Sequence, residues 1–328
     1  MIGFVAAAIL SFVPAFIYAA IAYWLDRFEK EPRRLLFGAF IWGAFVATLG
    51  AIVWTGLAQV SLAIFIGEAS AEVAGTTLLA PLVEESLKGI AVVIIMLAFP
   101  EEFDSRLDGM LYAAITALGF AATENLLYLY FMGYQESGVG GLISLFILRV
   151  ILGGWGHAVY TAWIGLGLAM SRLHPNRFIR FISPFAGWLL AVCLHALHNT
   201  MAVFLAGEFG LTGLGLTLLV DWSFWIVVLG LVIWEIRREQ HHIATYLAEE
   251  VMAGIIAPGH YNAAKSFSGQ LRNRLRNATA SRFYEACAEL AHKKHHLATG
   301  VGDERNTIAR INQLRRELAQ LAPKVPAV

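Results

Sequence analysis

The feature that most limits this chain is a succession of apolar runs, each about 20 residues or longer, that fills the sequence up to about residue 235. A helix needs about 20 apolar residues to cross a hydrocarbon core of roughly 30 Å. Only helices and closed barrels satisfy their own backbone groups at that depth. The charge content agrees, at 15% of residues, where soluble domains carry about 25%. Seven runs can be drawn, at about 2–24, 35–57, 73–99, 109–131, 142–170, 181–205 and 213–235. The expected fold class is therefore all-α, a polytopic bundle of about seven transmembrane helices with a soluble helical tail. The first run lacks a basic flank and a clear small-residue cleavage site, so it reads as a retained helix and not as a signal peptide. Cys193 and Cys287 fall in a span and in the tail, which offers neither a disulfide framework nor a thiolate metal site.

The loops set an orientation, because Lys and Arg are retained on the cytoplasmic side. Arg27, Lys30, Arg33 and Arg34 follow the first run, Arg106 the third, Arg172, Arg177 and Arg180 the fifth, and Arg237 and Arg238 the seventh. The intervening loops contain no Lys or Arg. This alternation predicts a multi-pass protein of the cell (inner) membrane with its N-terminus outside and its C-terminus cytoplasmic. Two domains are expected, a membrane domain over 1–235 and a cytoplasmic, mainly helical, basic tail over 236–328. In the tail, Ile308, Ile311, Leu314, Leu318 and Leu321 recur at helical spacing. Their apolar face needs a cover, either another tail helix or a second copy in a homo-oligomer. The lipid bilayer is the principal surroundings and no nucleic acid partner is expected, while the net charge of zero says nothing of partners.

Ionisable groups inside spans cost about 2.5–3.5 kcal/mol each on the lenient insertion scale, so each needs a reason. The third run holds Glu84, Glu85 and Lys88 in PLVEESLKG, and the fourth holds Glu124 and Asn125 in GFAATENLLY. Arg149 and His157 lie in the fifth, His195, His198 and Asn199 in the sixth, and Asp221 near the outer end of the seventh. At about 1.5 Å per residue, Glu84, Glu124, His195 and His157 lie roughly 11–22 Å from the outer ends of their spans, in one slab. Acids and imidazoles from four helices in a common layer form a bundle-core site. Glu84 and Glu85 stand four and three residues before Lys88, so either can pair with it while the other points into a cavity. A buried carboxylate with a raised affinity for protons suits a general base. His195 and Asn199 share a helix face, pairing a metal ligand or acid with an amide able to donate to an oxyanion. Arg149 is placed to balance a carboxylate, and Asp221 reads as interfacial.

The sequence resembles the PrsW family of intramembrane proteases, itself related to the CAAX prenyl endopeptidases and bacteriocin-processing enzymes. The resemblance runs over roughly residues 15–205 and rests on five ordered stretches. They are DRFEKEP at Asp26–Pro32, EESLK, the stretch from Asp108 to Tyr128 ending in FAATENLLY, RVILGGWGH from Arg149 to His157, and LHALHN ending at Asn199. It implies that Glu84 and Glu85 are catalytic, that Glu124 is the glutamate of an FxxxEN motif, and that His157, His195 and Asn199 complete the site. Asn125, Lys88 and Arg149 support them. His198 stands where an aromatic residue is expected, which leaves its part open.

What the resemblance implies is hydrolysis of a peptide bond in a membrane-anchored protein, with anti-sigma factors as the associated substrates. Water would attack with Glu84 or Glu85 as general base. His157, His195 and Glu124 would either hold a divalent metal or, without one, orient the water and stabilise the oxyanion. Zinc suits two imidazoles and a carboxylate with an open position. Intramembrane carboxylates and histidines also build proton relays, so a proton- or ion-coupled transporter is the rival from another class. A non-catalytic scaffold or immunity protein on the same bundle is a third.

Overall fold

The computed structural model describes residues 1–26, 28, 30–266, 268–269, 272, 277–300 and 304–326. Arg27, one of the cytoplasmic-side cations expected above, and Glu29 of the DRFEKEP stretch lie outside the described residues. Among the described residues the regular structure is helical throughout, with no strand, as the apolar runs require. Five stretches are long and apolar enough to cross a membrane: Ile2–Leu25, Arg33–Ile66, Arg106–Leu173, Arg177–Phe209 and Leu211–Met252. They take in six of the seven apolar runs, and the remaining run corresponds to residues 68–98, whose charges at Glu84, Glu85 and Lys88 set it apart.

The helices are α1 (Ile2–Leu25), α2 (Arg33–Ile66), α3 (68–98), α4 (Arg106–Leu127), α5 (139–152), α6 (Gly156–Leu173), α7 (Arg177–Phe209) and α8 (Leu211–Tyr246). Contacts divide the chain into two units. The first comprises Met1–Tyr23, Pro32–Arg172 and Phe181–Gly230, and the second Trp24–Glu31, Leu173–Arg180 and Leu231–Val328.

In the first unit α4 is the most enclosed helix, with nearly every side chain from Leu107 to Ala122 buried. Its start is set by a capping box: the Ser105 hydroxyl accepts the Asp108 amide at 3.1 Å and the Asp108 carboxylate accepts the Ser105 amide at 2.6 Å. Asp108, within one of the family-like stretches, is thus a helix-starting residue. Neighbouring backbones come close because glycines face them. A Cβ on Gly109 would lie 2.3 Å from the Gly165 carbonyl oxygen, and one on Gly165 would lie 1.9 Å from that of Gly109. In lipid, where the hydrophobic effect does not press helices together, small residues at crossings allow the close packing that does.

The run expected to continue over 142–170 is instead broken at 153–155, between α5 and α6. Arg149 and His157 therefore sit on separate helices. A break in an apolar layer leaves carbonyls to satisfy. The Tyr18 hydroxyl of α1 donates to the Val150 carbonyl at 2.9 Å, and the Trp222 indole of α8 donates to that of Leu152 at 3.1 Å. Four segments, Trp42–Ala47, Gly75–Leu79, Tyr128–Tyr134 and Phe146–Leu152, are π-helical. Such widened turns concentrate at functional sites.

In the second unit, Asp26 and Glu31 of the DRFEKEP loop are buried, and the Asp26 carboxylate accepts the Glu31 amide. Among the described residues the helices that follow include α9 (Ala248–Met252), α10 (Pro258–Ala264), α11 (Ala278–Thr299) and α12 (Glu304–Leu321). Ile311, Leu314 and Leu318 of α12 are buried, and α12 packs along α11. The middle of the apolar stripe thus finds its cover within the chain, while Ile308 stays exposed. The Arg282 guanidinium donates to both oxygens of Glu317, at 2.6 and 2.8 Å, and holds that carboxyl below its usual range.

Two predictions follow from this packing. Gly165→Ala and Gly109→Ala, which force α4 and α6 apart, should lower stability in detergent by about 1–3 kcal/mol, whereas Gly56→Ala, where a Cβ meets nothing, should not; thermal unfolding measures the difference. Because the Glu317 carboxyl is depressed, the Arg282 pair contributes fully above about pH 4.3 and is lost as pH falls through the lowered value. Hydrogen exchange in α11 and α12 should show Glu317→Gln closing most of the gap between pH 6 and acid, an effect of at most about 1 kcal/mol for a part-exposed pair.

Candidate active site

The site is assembled on α3. Its EESLK turn presents Glu84, Glu85 and Lys88 to one side, and Lys88 is fully buried. The Lys88 ammonium donates to Glu85 Oε1 at 2.7 Å, stands 3.6 Å from Glu84 Oε2, and lies 4.1 Å above the Phe120 ring of α4. It also reaches His157 Nδ1 on α6 at 3.1 Å. A lone buried ammonium would be prohibitively costly, and these partners are what make it tolerable.

The two glutamates have different surroundings. Glu85 is saturated: Oε1 accepts from Lys88 and from His195 Nδ1 at 3.0 Å, and Oε2 accepts the Thr161 hydroxyl at 2.7 Å. Glu84 Oε2 is buried and makes no hydrogen bond to any described residue. It lies 3.8 Å from His195 Nε2. Because a carboxylate only accepts, the His195 proton is on Nδ1, and its Nε2 lone pair faces Glu84.

On α4, Glu124 Oε2 accepts Arg149 Nη2 at 2.6 Å and lies 3.0 Å from His157 Nε2. Asn125 Oδ1 accepts Arg149 Nε at 3.0 Å, and the guanidinium stacks 3.7 Å from the Tyr128 ring. Arg149 thus balances a carboxylate, and that carboxylate is Glu124. With Lys88 donating to its Nδ1, His157 donates from Nε2 to Glu124. The side chains of Glu124, Arg149 and His157 keep part of their surface accessible, so the cluster opens on this side.

One face of α7 is devoted to α3. Trp188 donates to the Ser86 hydroxyl, His195 to Glu85, and Asn199 to the Thr76 carbonyl at 2.9 Å, in the π-helical turn of α3. The Asn199 amide, read from sequence as able to donate to an oxyanion, places one donor on this backbone carbonyl. Two participants, Thr161 and Tyr160, escape the sequence reading, and a third, Asp221, is singled out there without a part in the cluster. Thr161 and Tyr160 stand four and three residues after His157, on its helix face, a spacing that could have found them. Asp221 reads as interfacial in sequence but is buried, accepting Tyr160 and His198.

Glu84, His157 and His195 each offer a ligand atom within 4.8 Å of the others. The unbonded Glu84 oxygen and the unused His195 Nε2 are what a metal would need. The Glu85 carboxylate behind His195 is the outer partner that metal-bound imidazoles usually keep. The residues present therefore fit a divalent ion, with a set that takes in Glu84 where Glu124 was expected from sequence; Glu124 lies against Arg149 and His157.

A family model described as PrsW family intramembrane metalloprotease matches residues 31–234. The chain is 27% identical over 180 residues to Protease PrsW of Clostridioides difficile, covering 54% of this chain and 72% of the relative. It is 27% identical over 177 residues to Protease PrsW of Geobacillus kaustophilus, covering 54% and 71%. To Protease PrsW of Bacillus subtilis it is 31% identical over 117 residues, covering 32% and 53%. No solved structure matches the chain. The matched segment holds every residue of the cluster and displaces the transporter and scaffold readings. With its apolar helices built around that cluster, the chain is a multi-pass membrane protein and an intramembrane protease, and it belongs to the PrsW family of intramembrane metalloproteases.

Proposed function

We propose that the cluster hydrolyses a peptide bond of a membrane-anchored protein, of the anti-sigma-factor type, with Glu84 as the carboxylate that moves the proton. The observation that supports this is the contrast between the saturated Glu85 and the unbonded Oε2 of Glu84. Glu84 takes a proton from the attacking water on the carboxylate oxygen it does not offer to an ion and returns it to the leaving amine. Glu85 fixes the tautomer and rotation of His195. Lys88, bonded to Glu85 and within ion-pair distance of Glu84, supplies the positive charge between the two carboxylates. Arg149 and Asn125 hold Glu124 against His157.

Glu84, His157 and His195 would hold a divalent metal, and two imidazoles with one carboxylate favour zinc with a fourth position open. Such an ion polarises a carbonyl and acidifies water at neutral pH. His157 would turn one nitrogen away from Lys88 or Glu124 to join it. We further propose seven crossings over 1–235 in the inner membrane, the N-terminus outside and the tail from 236 cytoplasmic. The alternating Lys and Arg content of the loops supports this orientation.

Two measurements test the reading. On a membrane-anchored substrate in detergent, Glu84→Gln should lower kcat by about 10²–10⁴ with the fold intact, and unchanged turnover would remove Glu84 from the chemistry. Glu85→Gln should weaken metal binding by about 10–100-fold by replacing the carboxylate behind His195 with a neutral amide. Stripping metal with a chelator should abolish cleavage and zinc should restore it; full activity in metal-free protein would sink the metal assignment and leave hydrolysis by Glu84 alone.

A further inference from the structure

Beyond the last of the family-like stretches, Asp221 of α8 anchors a second buried polar group beside His195. Asp221 is 2% exposed, and so is Tyr160 of α6. The Tyr160 hydroxyl donates to Asp221 Oδ1 at 3.0 Å, and His198 Nδ1 of α7 donates to Oδ2 at 2.7 Å. One carboxylate thus ties α6, α7 and α8 together. His198, which departs from the expected aromatic residue, has its place here as the second donor.

The Tyr160 ring lies along the His195 ring, with centroids 5.2 Å apart and planes 22° apart. His195 is therefore held twice. The Glu85 hydrogen bond fixes its rotation within the ring plane, and the Tyr160 face fixes the plane itself. Together they aim Nε2 at Glu84 Oε2. A hydrogen bond at the far end of Tyr160 is what stops that ring from tilting, and the acceptor is Asp221.

We infer that Asp221, acting through Tyr160, is a positioning residue for His195 that sets the direction of Nε2, and with it the metal affinity of the Glu84, His157 and His195 group and the rate of hydrolysis. This rests on the hydrolytic reading of the site given above. Loss of a carboxylate that merely tied the helices would change stability and leave the metal affinity and the direction of Nε2 as they are.

The test compares purified full-length protein, wild type, with Asp221→Asn and Tyr160→Phe. Tyr160→Phe removes one oxygen and keeps the ring, which makes it the milder of the two changes, and thermal unfolding of both variants is recorded beside the readouts. Zinc affinity is measured by chelator competition, ligand geometry by the absorption spectrum of the cobalt-loaded protein, and kcat and KM on a membrane-anchored substrate. Both variants should bind zinc about tenfold more weakly and shift the cobalt bands. Their kcat should fall about tenfold with KM within about twofold of wild type. Wild-type values in Tyr160→Phe, whatever Asp221→Asn does, would overturn the inference by reducing Asp221 to a helix tie. A rise in KM at constant kcat would overturn it as well. Cleavage by wild type free of metal would instead overturn the metal assignment alone, and the kcat of the two variants would then decide the role of Asp221.

Discussion

Lys88 is a full positive charge with no exposed surface, inside a bundle whose surroundings cannot solvate it. The cluster is the set of groups that make this charge bearable: Glu85 in direct contact, Glu84 within ion-pair distance, the acceptor nitrogen of His157, and the face of Phe120. Removing any one leaves a buried charge partly uncompensated, which costs more than the contact itself contributes. The ammonium thereby draws α3, α4 and α6 to one point and sets the orientation of the side chains that do chemistry.

Bringing those helices to that point requires backbones closer than ordinary side chains permit. The facing Gly109 and Gly165 let α4 and α6 approach until carbonyl oxygens fill the space of a Cβ. The break at 153–155 then redirects the chain so that Arg149 and His157 reach Glu124 from two helices. Tyr18 and Trp222, from the first and last helices of the membrane unit, satisfy the carbonyls this break frees. Polar satisfaction at the break and charge compensation at Lys88 are one requirement met at two places: in an apolar layer each donor and acceptor must find its partner within the protein.

The same rule explains the division of labour between adjacent glutamates. About 100° of helix rotation separates their side chains, enough to put Glu85 among Lys88, His195 and Thr161 and to leave one Glu84 oxygen facing two imidazoles. A carboxylate with every lone pair engaged orients its neighbours. One with an oxygen free can move a proton or bind an ion.

By itself the sequence determined the class of the protein, because runs of about 20 apolar residues admit few other folds. It also determined which polar residues must share a layer, since the cost of burying Glu84, Glu85, Lys88, Glu124, His157 and His195 singly forces them together. The spacing of Glu84, Glu85 and Lys88 was legible because it is local to one helix. Only the tertiary structure decided what depends on distance between helices: that Glu85 is saturated and Glu84 is not, that Arg149 meets Glu124 across a break, that the Asn199 amide goes to Thr76, and that Asp221 is buried under Tyr160. Periodicity reports which face of a helix a residue lies on, and it carries no information about which neighbour that face will meet.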